Sequence, residues 1–207
     1  MPVVLLVLAF LVLCLLLAKA SSSPRGNGAS APPTGERLAG EEGEEIACGI
    51  IQAALRDGDR FFTNVEVEYE EKPAELDAVI VNRYGVFVIE IKNYKGDLDG
   101  TEEDYEWIKY KPTVSGDVDV RAVKNPIKQV NRQVFILSRY LKEQGARAWV
   151  RGFAFLVEEN SPVHSEQILE DAEDIDRAIH TKDRELLDAG RIAAIARLLA
   201  ERGGEVC

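Results

Sequence analysis

The sequence is poor in the residues that build disulfide frameworks and zinc sites. It contains three cysteines and two histidines among 207 residues. Cys14, Cys48 and Cys207 are widely separated, no CxxC pair occurs, and His164 and His180 do not flank any of them. Disulfide-rich scaffolds and structural zinc sites need several such residues at close spacing. The sequence therefore excludes both classes, and the isolated cysteines favour a reducing compartment for the domain.

Basic residues are also scarce relative to acidic ones. The chain has 25 Lys and Arg against 36 Asp and Glu, which gives a formal net charge of −11. Because nucleic-acid binding draws on Lys and Arg to neutralise phosphates, this balance argues against a large nonspecific nucleic-acid surface. Much of the acidic excess lies in the segment 158–176, which contains neither Lys nor Arg. A local cluster of basic residues is predicted around the loop near residue 115: Lys109, Lys111, Arg121, Lys124 and Lys128. This cluster is either a surface that binds phosphate or a set of solvated side chains.

Residues 3–18 form an uninterrupted apolar run. The run is shorter than the roughly 20 residues of a typical membrane-spanning helix. Ala18-Lys19-Ala20 resembles a signal-peptide cleavage site, but no Lys or Arg precedes the run. The first basic residues, Lys19 and Arg25, follow it, and flanking basic residues usually stay in the cytoplasm. We favour an uncleaved membrane anchor with the domain in the cytoplasm, and the alternative is secretion after cleavage near Ala20.

The composition divides the chain into four parts. Residues 1–20 are the anchor or signal segment, and residues 21–36 are a Ser, Gly and Pro-rich linker. Residues 37–157 carry the periodic patterns of one folded domain, and residues 158–207 are an acidic segment with a predicted last helix. The length suits one domain with appendages.

The hydrophobic periodicity predicts an α/β fold in which helices flank a small mixed sheet. The predicted helices span residues 41–55, 126–144 and 188–202. Helix starts are indicated by Asn125-Pro126 and by Asp188, and Gly145 is a typical helix stop. The predicted strands span residues 61–69, 76–82, 85–92, 106–111 and 149–157.

The segment 76–92 predicts a hairpin that brings two carboxylates together. If Arg83-Tyr84 is the turn, Asp77 lies opposite Glu90, with Lys92 one step further along the same face. Two carboxylates at that separation repel each other unless a cation or a proton lies between them. The hairpin therefore predicts a divalent metal site beside an ammonium group. The alternative is a solvated charged edge.

Four short sequences occur in order around this hairpin: GEEGEE at 40–45, ELDAVIV at 75–81, GVFVIEIKNYKG at 85–96 and NPIKQ at 125–129. An Asp followed in the next strand by Glu-x-Lys resembles the PD-(D/E)xK nuclease core. Together the four sequences resemble the nuclease-related domain (NERD) family from about Leu38 to Leu156. One departure is Ala78, which stands after Asp77 where the family often has His.

The resemblance implies a restriction-endonuclease-like core that hydrolyses phosphodiester bonds in DNA or RNA with Mg²⁺ or Mn²⁺. The metal would be held by Asp77, Glu90 and the backbone carbonyl of Ile91. Lys92 would orient or deprotonate the attacking water or stabilise charge on the phosphate. The resemblance also implies a site acid at Glu44, with Glu41 as the alternative to it. The residues expected to act in catalysis are Glu44, Asp77, Glu90, Lys92 and Gln129.

A second hypothesis comes from another functional class. The net acidity favours a noncatalytic, membrane-tethered module on a nuclease-like fold that binds nucleic acid or protein. The intact set of Asp77, Glu90 and Lys92 favours the enzyme. Metal-dependent cleavage of nucleic acid distinguishes the two hypotheses.

The apolar run gives the first testable prediction. If residues 3–18 anchor the protein with its domain in the cytoplasm, protease added to intact cells should spare the domain. Permeabilised cells provide the control, because protease should then digest the domain. Digestion in intact cells, or a mature N-terminus at Ser21, would contradict the prediction.

Overall fold

The computed structural model describes residues 35–182, 184, 186–203 and 205–206, and the side chains of residues 35–42 and 205–206 are outside the description. The expected anchor at residues 3–18 lies outside these residues. Within them, no helix has both the length and the apolarity that a membrane crossing requires.

Four helices are described, and their apolar residues recur at the helical period. They are α1 (Gly35–Ala54), α2 (Pro126–Glu143), α3 (Ala172–His180) and α4 (Ala189–Ala200). The predicted start of the first helix at Glu41 is wrong, because the helix begins at Gly35 and so includes the end of the expected linker. The expected starts of α2 and α4 are confirmed: Asn125 and Asp188 cap them through side-chain oxygens that accept backbone N–H groups.

The described part of the chain contains nine strands, which form two sheets. The strands are β1 (Arg60–Tyr69), β2 (Lys72–Asn82), β3 (Gly85–Lys92), β4 (Asp97–Asp99), β5 (Glu106–Pro112), β6 (Val118–Lys124), β7 (Val150–Leu156), β8 (Ile168–Leu169) and β9 (Glu205–Val206). The six-stranded main sheet has the order β8-β7-β3-β2-β1-β9, and β4, β5 and β6 form a small second sheet. The main sheet is mixed, as predicted, because β7 runs parallel to β3 and β8 while the other pairs are antiparallel.

The pairing of the central hairpin confirms the predicted register. Asn82 pairs with Gly85, and the ladder continues to Ala78 opposite Ile89. The two-residue turn at Arg83 and Tyr84 fixes this alignment, since a shift of one residue would move every side chain to the other face.

Helices cover both faces of the main sheet. The face formed by Val79, Val81, Val86 and Val88 packs against α2 and α4. The opposite face, which includes Ile80, Phe87 and Ile89, packs against α1 and α3. Consecutive residues of β2 and β3 thus serve two different cores, which explains why their sequence is almost continuously apolar.

The second sheet lies beside the start of α2. Its one fully buried large side chain among the described residues, Trp107, packs with Ile127 and Leu156. Four residues of the predicted basic cluster lie on the two strands that flank the turn 113–117, and Lys128 lies in α2. Lys109 in β5 pairs with Arg121 in β6, so these residues belong to strands. β6 is largely exposed, although Val118, Val120 and Ala122 alternate with Asp119 and Arg121 in its sequence.

Asn125 joins α2 to the preceding loop. Its side chain is buried, and its Oδ1 accepts the N–H of Ile127 at 2.9 Å. Its Nδ2 donates to the carbonyls of Thr101, Glu102 and Asp104 at 3.2, 3.3 and 2.8 Å. One amide side chain therefore caps the helix and fixes the loop 101–104 against it.

Removing this amide should destabilise the whole domain. Asn125→Ala should lower the free energy of unfolding by roughly 2–4 kcal/mol, because it removes the helix cap together with the hydrogen bonds that hold the loop 101–104. Urea denaturation of the two proteins measures the difference. Asn125→Asp is the matched control: it keeps the acceptor but not the donors, and should recover only part of the loss. A change below about 0.5 kcal/mol for Asn125→Ala would contradict the prediction.

Candidate active site

Asp77 lies at the point where β2 loses its regular pairing on both sides. The β1–β2 ladder passes from Thr63–Ala78 to Val65–Leu76, without a bridge between Asn64 and Asp77. The β2–β3 ladder likewise ends at Ala78. Asn64 has a positive φ of 54°, which a non-glycine residue adopts only where the chain requires it.

The freed edge of β3 is contacted by the Asp77 side chain. The N–H of Ile91 donates to Asp77 Oδ2 at 2.8 Å. The carboxylate thus takes the place of a main-chain acceptor from β2. Because the N–H and C=O of one strand residue point to the same side, the Ile91 carbonyl also faces the side of β3 on which Asp77 lies. The structure therefore brings together the oxygen atoms that were expected to bind a metal ion, those of Asp77, Glu90 and Ile91.

Glu90 is completely buried, with 0% of its surface exposed. Its Oε1 accepts a short hydrogen bond from the Lys92 ammonium, and its Oε2 accepts one from Gln133 Nε2 at 2.5 Å. A buried charge is tolerated only when such partners replace the lost water. Glu90 and Lys92 are therefore a buried ion pair that Gln133 supports from α2.

The electrostatics of Asp77 reflect its surroundings. Burial and the negative charge of Glu90 raise the pKa of Asp77 to about 7, although the Ile91 N–H and the Lys92 charge oppose that rise. Burial acts to lower the pKa of Lys92, but the charge of Glu90 and its hydrogen bond outweigh burial and raise it. Lys92 therefore remains a cation at neutral pH, while Asp77 retains a proton more readily than an exposed aspartate.

Two further side chains approach from neighbouring elements. Tyr94 follows β3, its hydroxyl donates to the Lys124 carbonyl at 3.2 Å, and burial raises its pKa above the usual value. Glu44, in the middle of α1, is exposed, and its charge contributes to the raised pKa of Asp77. The structure thus places the predicted Glu44 within electrostatic reach of the carboxylates.

The close approach of α1 depends on a glycine. Gly43 is buried against Asn93, and a Cβ built on Gly43 would lie 2.4 Å from the Asn93 Cβ. Any larger residue would therefore push this middle part of α1 away from the end of β3. The GEEGEE sequence thus supplies both the acid and the close contact that positions it.

Gln133, which the sequence analysis missed, contacts the site directly. It is 3% exposed and donates to the Glu75 carbonyl at 2.9 Å as well as to Glu90. Its Oε1 is buried without a hydrogen-bond partner among the described residues. The predicted Gln129 lies one turn earlier, half-buried in the groove that Gln133 also lines. The available signal was a polar residue at a core position of the stripe that contains Val130 and Leu137.

Few of the described side chains near Asp77 and Glu90 could bind a metal ion. No group of three or more His, Cys, Asp or Glu side chains with the geometry of a metal site occurs in the part of the chain that the structure describes. Mg²⁺ does not require such a cluster, because it is usually held by one or two carboxylates together with water and substrate oxygens. Two carboxylates, one carbonyl and the buried Oε1 of Gln133 are compatible with such an ion.

The raised pKa of Asp77 gives a test in the metal-free protein. Since the folded state binds this proton more tightly than the unfolded state, Asp77 should cost stability progressively as the pH rises from about 4 to about 7. Asp77→Asn should therefore be more stable than wild type at pH 8, by about 1–4 kcal/mol, and nearly equal to it at pH 4. Urea denaturation in EDTA measures this difference.

Glu75→Gln is the matched control, because Glu75 is an exposed carboxylate two residues earlier. Its effect on stability should change little between pH 4 and pH 8. If Asp77→Asn differs from wild type equally at both pH values, the proton is not bound as the electrostatics require.

Comparison with known proteins places this geometry in a family. The family model of the nuclease-related domain matches residues 39–157, more than half of the chain. The match contains the hairpin, the Glu90–Lys92 pair and the first part of the chain after α2. Neither the curated proteins nor the solved structures gave a match. On the family match, the chain belongs to the nuclease-related domain (NERD) family, in agreement with the PD-(D/E)xK pattern.

Proposed function

We propose that this protein is a metal-dependent nuclease that hydrolyses phosphodiester bonds. The observation that carries the proposal is the arrangement of Asp77, Glu90 and Lys92 at the interrupted edge of β2 and β3. Two carboxylates with a fixed ammonium are the groups that phosphodiester hydrolysis requires: oxygen ligands for a cation and a positive charge for the phosphate.

Asp77, Glu90 and the Ile91 carbonyl would hold Mg²⁺ or Mn²⁺. A divalent ion bound there would act as a Lewis acid on the scissile phosphate and lower the pKa of the attacking water. Its binding would also replace the proton that the raised pKa assigns to Asp77 and would relieve the repulsion between the two carboxylates.

The chain's own side chains have separate roles in this proposal. Lys92 orients the water or stabilises the charge that develops on the phosphate, and its ion pair with Glu90 fixes its position. Gln133 positions Glu90, and its buried Oε1 has no hydrogen-bond partner among the described residues. Glu44 adds negative charge near Asp77, and Gln129 is proposed to contact substrate or water from the first turn of α2.

The sheet order supports a restriction-endonuclease-like core. An antiparallel hairpin is extended by a parallel strand, and helices cover both faces. In this proposal the domain acts on DNA, or on RNA, from a membrane anchor formed by residues 3–18 with the domain in the cytoplasm. The alternative function, a noncatalytic module on the same fold, draws its support from the net charge of −11.

Metal binding and cleavage together test the proposal. Calorimetry with Mg²⁺ and Mn²⁺ should detect binding to wild type at millimolar concentration, and plasmid and single-stranded substrates should be cleaved. Asp77→Asn and Glu90→Gln should abolish metal-dependent cleavage, because each removes an oxygen ligand or its charge. Lys92→Ala should retain metal binding and lose about a hundredfold or more in rate, because its role is in the transition state.

Glu71→Gln serves as the matched control, since Glu71 is exposed in the turn between β1 and β2. It should cleave and bind metal as wild type does, and circular dichroism should show all variants folded. If wild type binds no divalent ion, or if Glu90→Gln cleaves at the wild-type rate, the nuclease proposal fails and the binding module replaces it.

A further inference from the structure

An open groove of 1170 Å³ runs past the start of α2 and reaches Gln133. Its size exceeds the roughly 300–1,000 Å³ typical of small-molecule pockets, and its open form suits a chain more than a compact ligand. Gln133 lines the groove and also donates to Glu90, so this side chain connects the groove to the buried carboxylate. At its other end Lys124 lines the groove, and the Lys124 carbonyl accepts the hydroxyl of Tyr94.

One wall of the groove is basic. Lys128 and Arg132 stand four residues apart on α2 and so occupy one face of the helix, and Lys124 precedes its N-cap. All three are exposed, and Arg132 is oriented by a hydrogen bond of 2.9 Å from Nη2 to the Pro73 carbonyl. Arg202 adds a fourth cation to the groove. This wall matches the charge of one phosphodiester backbone.

The charged residues that β1 and the start of β2 contribute to the groove are acidic: Glu66, Glu68 and Glu75 line it and are exposed. Glu106 of β5 also lines the groove and pairs with Lys124 of β6, so the uncompensated cations of the basic wall are those of α2. A second phosphate backbone near these carboxylates would be repelled rather than neutralised. The groove therefore has the charge to accept one strand and disfavours a duplex.

An exposed aromatic side chain stands at the rim. Tyr105 lines the groove and is 85% exposed, yet its backbone carbonyl accepts the N–H of Asn125 at 3.0 Å. The carbonyls of the preceding loop are held by the Asn125 amide. The ring is therefore presented to solvent from a fixed backbone, which is the arrangement on which an unpaired base stacks.

We infer that this groove binds a single-stranded polynucleotide, with its phosphates along Lys124, Lys128 and Arg132 and a base stacked on Tyr105. The inference rests on the proposed nuclease function and specifies its substrate class. The required chemistry is an unpaired base next to a phosphodiester backbone, which both DNA and RNA provide. The groove thus delivers one strand towards the carboxylates.

Binding in EDTA tests the inference without cleavage. Fluorescence anisotropy with full-length protein should show single-stranded DNA or RNA bound at least about tenfold more tightly than duplex of the same length. Tyr105→Ala should weaken single-strand binding about five- to tenfold or more, whereas Tyr105→Phe should keep it because the ring remains. Lys128→Gln and Arg132→Gln should each weaken binding and reduce its salt dependence.

Controls come from the same chain. Lys142→Gln changes an exposed cation in the last turn of α2, and Trp149→Ala removes an aromatic that is 47% exposed outside the groove. Neither should alter binding. The double variant Glu66→Gln, Glu68→Gln should bind duplex more tightly than wild type, because the repulsive charge is gone. Comparison of DNA with RNA identifies the preferred sugar, and tight binding of either one supports the inference.

The results separate this inference from the proposed function. Single-strand binding that depends on Tyr105, without cleavage when Mg²⁺ or Mn²⁺ is added, supports the groove and contradicts the nuclease. Cleavage with equal affinity for duplex, or with binding unchanged in Tyr105→Ala and Lys128→Gln, supports the nuclease and overturns the groove assignment.

Discussion

The burial of Glu90 is the constraint on which the site depends. A carboxylate with no exposed surface loses its hydration, and among the described residues Lys92 and Gln133 replace it directly. Lys92 comes from the same strand, but Gln133 requires that α2 lie against the sheet in one position. The same amide binds the carbonyl of Glu75, so it joins the helix to β2 as well as to β3. The charge that is costly to bury therefore fixes the relative position of three elements.

The sequence predicted the parts of this arrangement that are local. A two-residue turn determined the hairpin register, and Asn125-Pro126 determined where α2 begins. Gln133 was missed in the sequence analysis, because its burial depends on how a helix packs 43 residues away from Glu90 in the sequence. In the second sheet, β5 was predicted from the sequence but β4 and β6 were missed: β4 has only three residues, and the alternating valines of β6 face solvent and not a core.

Net charge was a poor guide to the local surface. The chain carries a charge of −11, yet α2 and the end of β6 present exposed cations on one wall of the groove. A negative net charge and a basic wall are compatible, because salt screens the electrostatic field of each exposed charge over about 10 Å at ordinary ionic strength. A ligand in the groove therefore experiences its nearest side chains, while the total charge governs solubility and long-range approach.

The helices that lie beyond the family match determine how far the domain can be shortened without loss of its core. The match ends at residue 157, but α3 contributes Ile175 and Ile179 to one core and α4 contributes Ile195 and Leu199 to the other. A fragment cut at that boundary would leave apolar surface bare on both sides of the sheet, and bare surface of this kind leads to aggregation. The segment matched by the family model is thus shorter than the segment that folds. A truncated protein made for experiments should therefore extend beyond the end of α4.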